Sequence, residues 1–138
     1  MGKFDKEILE LEKLTNKVNT HEQRLLALEE AIDTSKEGFG ILDEEGVFLL
    51  ANDSYATLFG MTPEEMIGKS WETKYKNQST IDYIHREILP KVNKYGTWSG
   101  IIKGETCGGI HITQIVTLTK FKNKISCHTR QVELFNME

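Results

Sequence analysis

A chain of 138 residues, 38% hydrophobic and 28% charged, with two prolines and eleven glycines, has the make-up of one folded domain and excludes a disordered, collagen-like or membrane-embedded polypeptide. Its net charge of −4 is unevenly spread, with 5 basic against 8 acidic groups in residues 1–33, 2 against 8 in 34–72 and 10 against 5 in 73–138. In that basic last segment Lys74, Lys91, Lys103, Lys120 and Lys124 stand singly between apolar neighbours, so no basic run forms and nucleic acid is excluded as a partner. No apolar run approaches the roughly 20 residues of a bilayer span, and Met1-Gly2-Lys3-Phe4-Asp5 opens no secretory signal, so a cytoplasmic protein is expected. Two cysteines, Cys107 and Cys127, make neither a disulfide framework nor a zinc cluster, and reduced thiols are expected.

From Phe4 to Ile32 neither Pro nor Gly occurs and Leu, Glu and Lys dominate, which predicts one long helix. Alternating steps of three and four put Phe4, Leu11, Val18, Leu25 and Ile32 at one seam position and Glu7, Leu14, His21 and Leu28 at the other, so seven of the nine seam sites are apolar. In a parallel pairing Lys17 would face Glu22 of a second copy and Arg24 would face Glu29, and both pairs attract. A coiled-coil homodimer is the expectation, with a lone amphipathic helix as the alternative. The run His21-Glu22-Gln23-Arg24-Leu25 resembles the phosphoacceptor helix of histidine kinases, but no proline follows and the chain has no glycine-rich nucleotide site. His21 is therefore read as a polar seam position.

Beyond the helix, Gly38-Phe39-Gly40-Ile41-Leu42 and Val47-Phe48-Leu49-Leu50-Ala51 flank an acidic, glycine-ended turn and predict a hairpin. Asn52 or Asp53 caps a short helix bearing Tyr55, Leu58 and Phe59 that stops at Gly60. Thr62-Pro63-Glu64-Glu65 supplies an N-cap, a first-turn proline and a glutamate at the third position, closed by Gly68. Ile81, Ile84, Ile88 and Val92 then recur at helical spacing, bent at Pro90 and ended by Tyr95-Gly96. Trp98–Gly104, Ile110–Phe121 and Lys124–Leu134 read as three strands, with turns at Gly108-Gly109 and Lys122-Asn123. The order predicts an α+β fold: a five-stranded antiparallel sheet with short helices on one face, preceded by the long N-terminal helix. Residues 1–33 form the helix, 34–134 the folded domain and 135–138 a C-terminal tail.

From Ala31 to about Val132 this pattern resembles a PAS domain. The resemblance is carried by Gly38–Gly46, by Asn52 opening a helix that ends Leu58-Phe59-Gly60, by Thr62–Trp71, and by Ile88-Leu89-Pro90 ahead of Gly96–Gly100. It implies a sheet cupping short helices around a small pocket, used as a sensory or interaction module in signalling proteins, among them two-component sensor kinases, and often preceded by a dimerising helix. Gln131-Val132-Glu133 stands where the family usually has Asp-Ile-Thr leading to an effector. The flavin photosensor branch needs an Asn-Cys-Arg cysteine near Ser70–Tyr75, and no thiol stands there, so a flavin adduct is not expected.

If the pocket holds a small molecule, its walls are expected to be Ile84, Ile88, Trp98, Ile112, Gln114, Val116 and Cys127. Gln114 interrupts an apolar strand face, and a buried amide must find partners in the protein or in a ligand. His85 borders the apolar stripe of its helix and is the candidate axial ligand for the alternative of a haem-based gas or redox sensor. A ligand-free interaction module is the third reading. Nothing assembles a nucleophile with a base, a carboxylate pair or a phosphate-cradling loop, so catalytic residues and metal ligands are assigned to none and a non-enzymatic module is expected.

Overall fold

The structure, a computed structural model, describes residues 2–132, except for the side chain of Lys3; the expected tail 135–138 and the last residues of the fifth expected strand lie outside the described residues. The chain divides into two units, the first ending at Thr34 and the second starting at Ser35. In the first, helix α1 runs from Lys3 to Thr34 without interruption. Thr15, Thr20 and Thr34 each donate a hydroxyl to the carbonyl four residues earlier, so these polar side chains do not disturb the ladder.

The second unit is a five-stranded antiparallel sheet in the order β2-β1-β5-β4-β3. The strands are β1 (Gly38–Leu42), β2 (Phe48–Ala51), β3 (Thr97–Glu105), β4 (His111–Phe121) and β5 (Lys124–Gln131). At its centre Cys127 lies between Gly40 of β1 and Leu118 of β4, and Thr129 between Gly38 and Val116. Alternation along β4 buries Ile112, Gln114, Val116 and Leu118 on one face.

Between β2 and β3 the chain forms α2 (Asp53–Leu58), α3 (Pro63–Met66), a 3-10 turn (Trp71–Lys74), α4 (Gln78–Tyr83), a π-helical turn (Ile84–Ile88) and α5 (Leu89–Tyr95). The expected caps are all present: Thr62 and Glu65 close a reciprocal capping box on α3, and Gly96 ends α5 in the left-handed region with φ 81°. At the expected bend near Pro90 the helix forms a widened turn. Proline cannot donate to the carbonyl four residues back, and its ring crowds that carbonyl, so the turn just before it opens to π geometry. The 3-10 turn was not anticipated from the sequence.

Asn52 ties the two layers together. Its buried carboxamide oxygen accepts from the Tyr55 amide at 2.9 Å, capping α2, and from the Phe39 amide of β1 at 3.0 Å, while its NH₂ donates to the Glu37 carbonyl at 3.0 Å. Gly38 is required beneath this joint, because a Cβ there would sit 2.9 Å from the Thr129 methyl and 3.0 Å from the Tyr55 Cα. Asn52→Ala removes the cap and leaves buried backbone groups unpaired, and is expected to lower unfolding free energy by about 2–4 kcal/mol, read by urea denaturation. A loss under about 0.5 kcal/mol would contradict that role.

Candidate functional site

Between helices and sheet lies a small cavity of about 40 Å³. Tyr55 of α2, Trp71 and Lys74 of the 3-10 turn, Tyr75, and Ile84 and Leu89 form its helical side; Leu42, Ile102, Gln114, Val116, Leu118, Ile125, Cys127 and Thr129 form its floor. Of the expected walls, Ile84, Gln114, Val116 and Cys127 are in place. Ile88 and Ile112 are buried in the core without lining the cavity, and Trp98 is only partly buried, its ring lying against Gly100. Ile112 shares the inward face of β4 with Gln114 and Val116, and Ile88 is buried with Ile84 on its helical turn, but neither reaches the cavity.

The cavity's one charged wall is Lys74, which is 7% exposed. In a 3-10 turn side chains three apart eclipse, so Lys74 shares an inward face with Trp71. The Ser70 hydroxyl caps this turn on the Glu72 amide, and the flanking backbone is pinned where Cys107 N–H donates to the Lys74 carbonyl at 2.9 Å and Lys76 N–H to the Glu105 carbonyl at 2.8 Å. Gly104 leaves the space that the Tyr75 ring fills, since a Cβ there would lie 2.9 Å from it.

The Lys74 ammonium donates to the Tyr55 phenolic oxygen. Its nitrogen lies 4.6 Å from the ring centre of Phe59, 4.9 Å from Tyr55, 5.1 Å from Tyr75 and 5.5 Å from Phe48. Each ring within about 6 Å contributes some attraction, most where water is absent. No ion pair to Lys74 exists among the described residues. Burial consequently lowers its pKa from the usual 10.5 to about 8, so it still carries its proton at neutral pH. The same burial raises the Tyr55 and Tyr75 phenols and the Cys127 thiol, the last held back in part by the Lys74 charge. The Tyr75 hydroxyl donates to the Gln114 carboxamide oxygen at 3.2 Å, and Thr129 Oγ1 is buried with no hydrogen-bond partner.

His85 faces away from this cavity. Its ring pairs with the Glu72 carboxylate, packs 5.1 Å from the Trp71 ring, is half exposed, and borders a separate outer cleft of about 300 Å³ with Asp43, Glu44, Glu45 and Lys120. An axial ligand for a group inside the domain would have to point inward, and on the π-turn the inward positions are Ile84 and Ile88. Leu42, Trp71, Leu89 and Ile125 border both spaces and so form the wall between cavity and cleft. Cys107 is exposed on a turn, and Cys127 is the inward small side chain that its strand position predicts.

The sign of the Lys74 effect on stability follows from its lowered pKa. Between about pH 8 and 10.5 the unfolded chain holds a proton the folded chain has released, so this group's contribution rises with pH across that window and is least favourable below it. Lys74→Met is expected to be more stable than wild type at pH 7 by about 1–3 kcal/mol in urea, with the gap closing as pH climbs above 8. Tyr55, Tyr75 and Cys127 face the same nitrogen and titrate in both proteins, so the difference isolates the lysine to first order. A pH-independent gap would contradict the assignment.

A family model for the PAS fold matches residues 32–89. No curated protein matches the chain in sequence. Among solved structures, the PAS domain in complex with ethanol of a LuxR-family transcriptional regulator from Burkholderia thailandensis is similar at 18% identity and TM-score 0.68, over 75% of this chain and 96% of that one. The PAS domain of a protein from Colwellia psychrerythraea is similar at 18% identity and TM-score 0.70, over 78% and 96%. A PAS domain from a two-component sensor histidine kinase is similar at 12% identity and TM-score 0.69, over 81% and 99%. With this strand order, the helical layer over one sheet face and the matched segment, the unit that begins at Ser35 has the PAS fold.

Proposed function

We propose that this chain is a sensory or regulatory module of a cytoplasmic signal-transduction protein, which relays occupancy of its cavity to an effector domain or partner protein. It acts without catalysis of its own and pairs as a homodimer through α1. The observation that carries this reading is the cavity itself: a small space inside the domain whose wall holds an ammonium without a counter-ion and a hydroxyl without a partner among the described residues. A purely structural core would exclude such groups. The ethanol bound by the Burkholderia domain supports a ligand of very few atoms, and the sensor-kinase likeness supports a two-component setting. Among the described residues no helix is long and apolar enough to cross a membrane, in keeping with the cytoplasmic reading.

Dimerisation rests on the seam. Phe4, Leu11, Leu14, Val18, Leu25 and Leu28 are each more than half exposed in the single chain, His21 is exposed beside them, and Ile32 is partly buried. Six large apolar side chains in one heptad register have no physical reason to face water unless another helix covers them. In analytical ultracentrifugation the wild-type chain is expected to be dimeric at micromolar concentration, and the double variant Leu14→Glu, Leu25→Glu to dissociate at least roughly 100-fold more readily, as burying charges at two seam sites costs about 3 kcal/mol or more. A variant that keeps its far-ultraviolet circular dichroism and stays as dimeric as wild type would overturn the reading.

A further inference from the structure

The polar groups that face the cavity are nearly all donors. Lysine carries three N–H donors, and among the described residues the Tyr55 oxygen alone takes one from Lys74. The Gln114 oxygen accepts from Tyr75, and its NH₂ adds two N–H donors. The Thr129 hydroxyl is unpartnered at 2% exposure. Among the described residues neither Asp nor Glu lines the space, so one positive charge and several N–H and O–H groups converge where they supply no negative charge and few acceptors. The faces of Phe48, Tyr55, Phe59 and Tyr75 offset part of that charge, but a ring face offers no directional acceptor for the remaining N–H groups.

Size and wall chemistry restrict what can supply the missing acceptor. A single water needs about 10–15 Å³ of such volume, so 40 Å³ admits about three or four heavy atoms. A phosphate or sulfate is too large. Ile84, Ile102, Val116 and Leu118 surround the rest of the space and favour an apolar end opposite the charged one. We propose that the cavity is a binding site for a monocarboxylate of formate-to-acetate size, its two oxygens on the Lys74 ammonium, the Gln114 amide and the Thr129 hydroxyl, and its methyl group, where present, against the aliphatic wall. This rests on the sensory reading above and names its ligand class. The wall shared with the outer cleft is made of the side chains of Leu42, Trp71, Leu89 and Ile125, so an ion of one or two carbons would enter there by displacing rotamers rather than backbone.

The test is titration of the full chain at pH 7 with sodium acetate and sodium formate, followed by ¹H–¹⁵N spectra, with sodium chloride holding ionic strength constant. Acetamide serves as the neutral isostere and nitrate as the planar anion without a carbon end. The expected result is saturable shifts clustered on Lys74, Gln114 and Thr129, with acetate binding at least tenfold more tightly than acetamide and more tightly than nitrate. Lys74→Met is expected to lose that acetate preference at least tenfold. The wild-type comparison of acetate with acetamide stands even if the variant fails to fold. No saturable binding of either carboxylate, equal binding of acetamide or nitrate, or unchanged acetate binding in a folded Lys74→Met protein would each overturn the proposal. Such a failure beside an intact seam-dependent dimer removes the carboxylate and leaves the sensory reading, whereas a seam variant that stays dimeric removes the pairing through α1 whatever acetate does.

Discussion

An ammonium group enclosed by a protein core is the constraint around which this domain is arranged. Moving a charge out of water is costly unless something of opposite sign or high polarisability meets it. Here four aromatic rings and one phenolic oxygen perform that task for Lys74 in place of a carboxylate. The rings also support each other, Phe48 with Tyr55, Tyr55 with Phe59 and Phe59 with Tyr75 at 5.5–5.6 Å between centres, so the cage is a continuous aromatic layer across the core. Small residues at Gly38 and Gly104 let its two tyrosines reach the sheet, and Asn52 sets the register of the helix that carries Tyr55. A lysine held this way is placed by several independent elements at once, which is what a site needs if a few atoms of ligand are to be distinguished from water.

The architecture was largely readable from residue patterns because its signals are local. The hairpin turn through Asp43–Gly46, the Thr62–Glu65 box, the stop at Gly96 and the alternation of β4 each follow from a few neighbouring side chains, and each stands where expected. The cavity's character was less readable because it depends on residues far apart in sequence. Lys74 follows Glu72 and Thr73 in sequence and looks like a surface residue; the 3-10 turn, which aligns it with Trp71, turns it inward. That three-residue spacing of a tryptophan and a lysine after a capping serine was the available signal. His85 shows the converse case, a residue on the edge of an apolar stripe whose half-turn offset sends it to the outer cleft beside Glu72. Pro90 announced a bend, but its form as a π-turn depends on the helix continuing unbroken on both sides.

The two units present complementary physics. The PAS fold encloses a charge that no carboxylate among the described residues pairs, while α1 carries a seam of exposed apolar side chains. On the proposed reading each is completed by a further component: a small anion for one, a second helix for the other. A sensor needs that sort of incompleteness, since an input can shift an equilibrium only through a difference in interaction free energy between two states. The coupling between the inputs would then be a property of the dimer.

The claim on which the account depends is that Lys74 is a caged cation inside the domain. Its direct measure is the pH titration of the Lys74 side chain by ¹³Cε and ¹⁵Nζ chemical shifts in protein labelled at lysine, assigned by the loss of one resonance in Lys74→Met. The account predicts a midpoint near pH 8, well apart from the other lysines. A Lys74 midpoint at the ordinary lysine value of 10.5, together with solvent-like amine exchange, would contradict it.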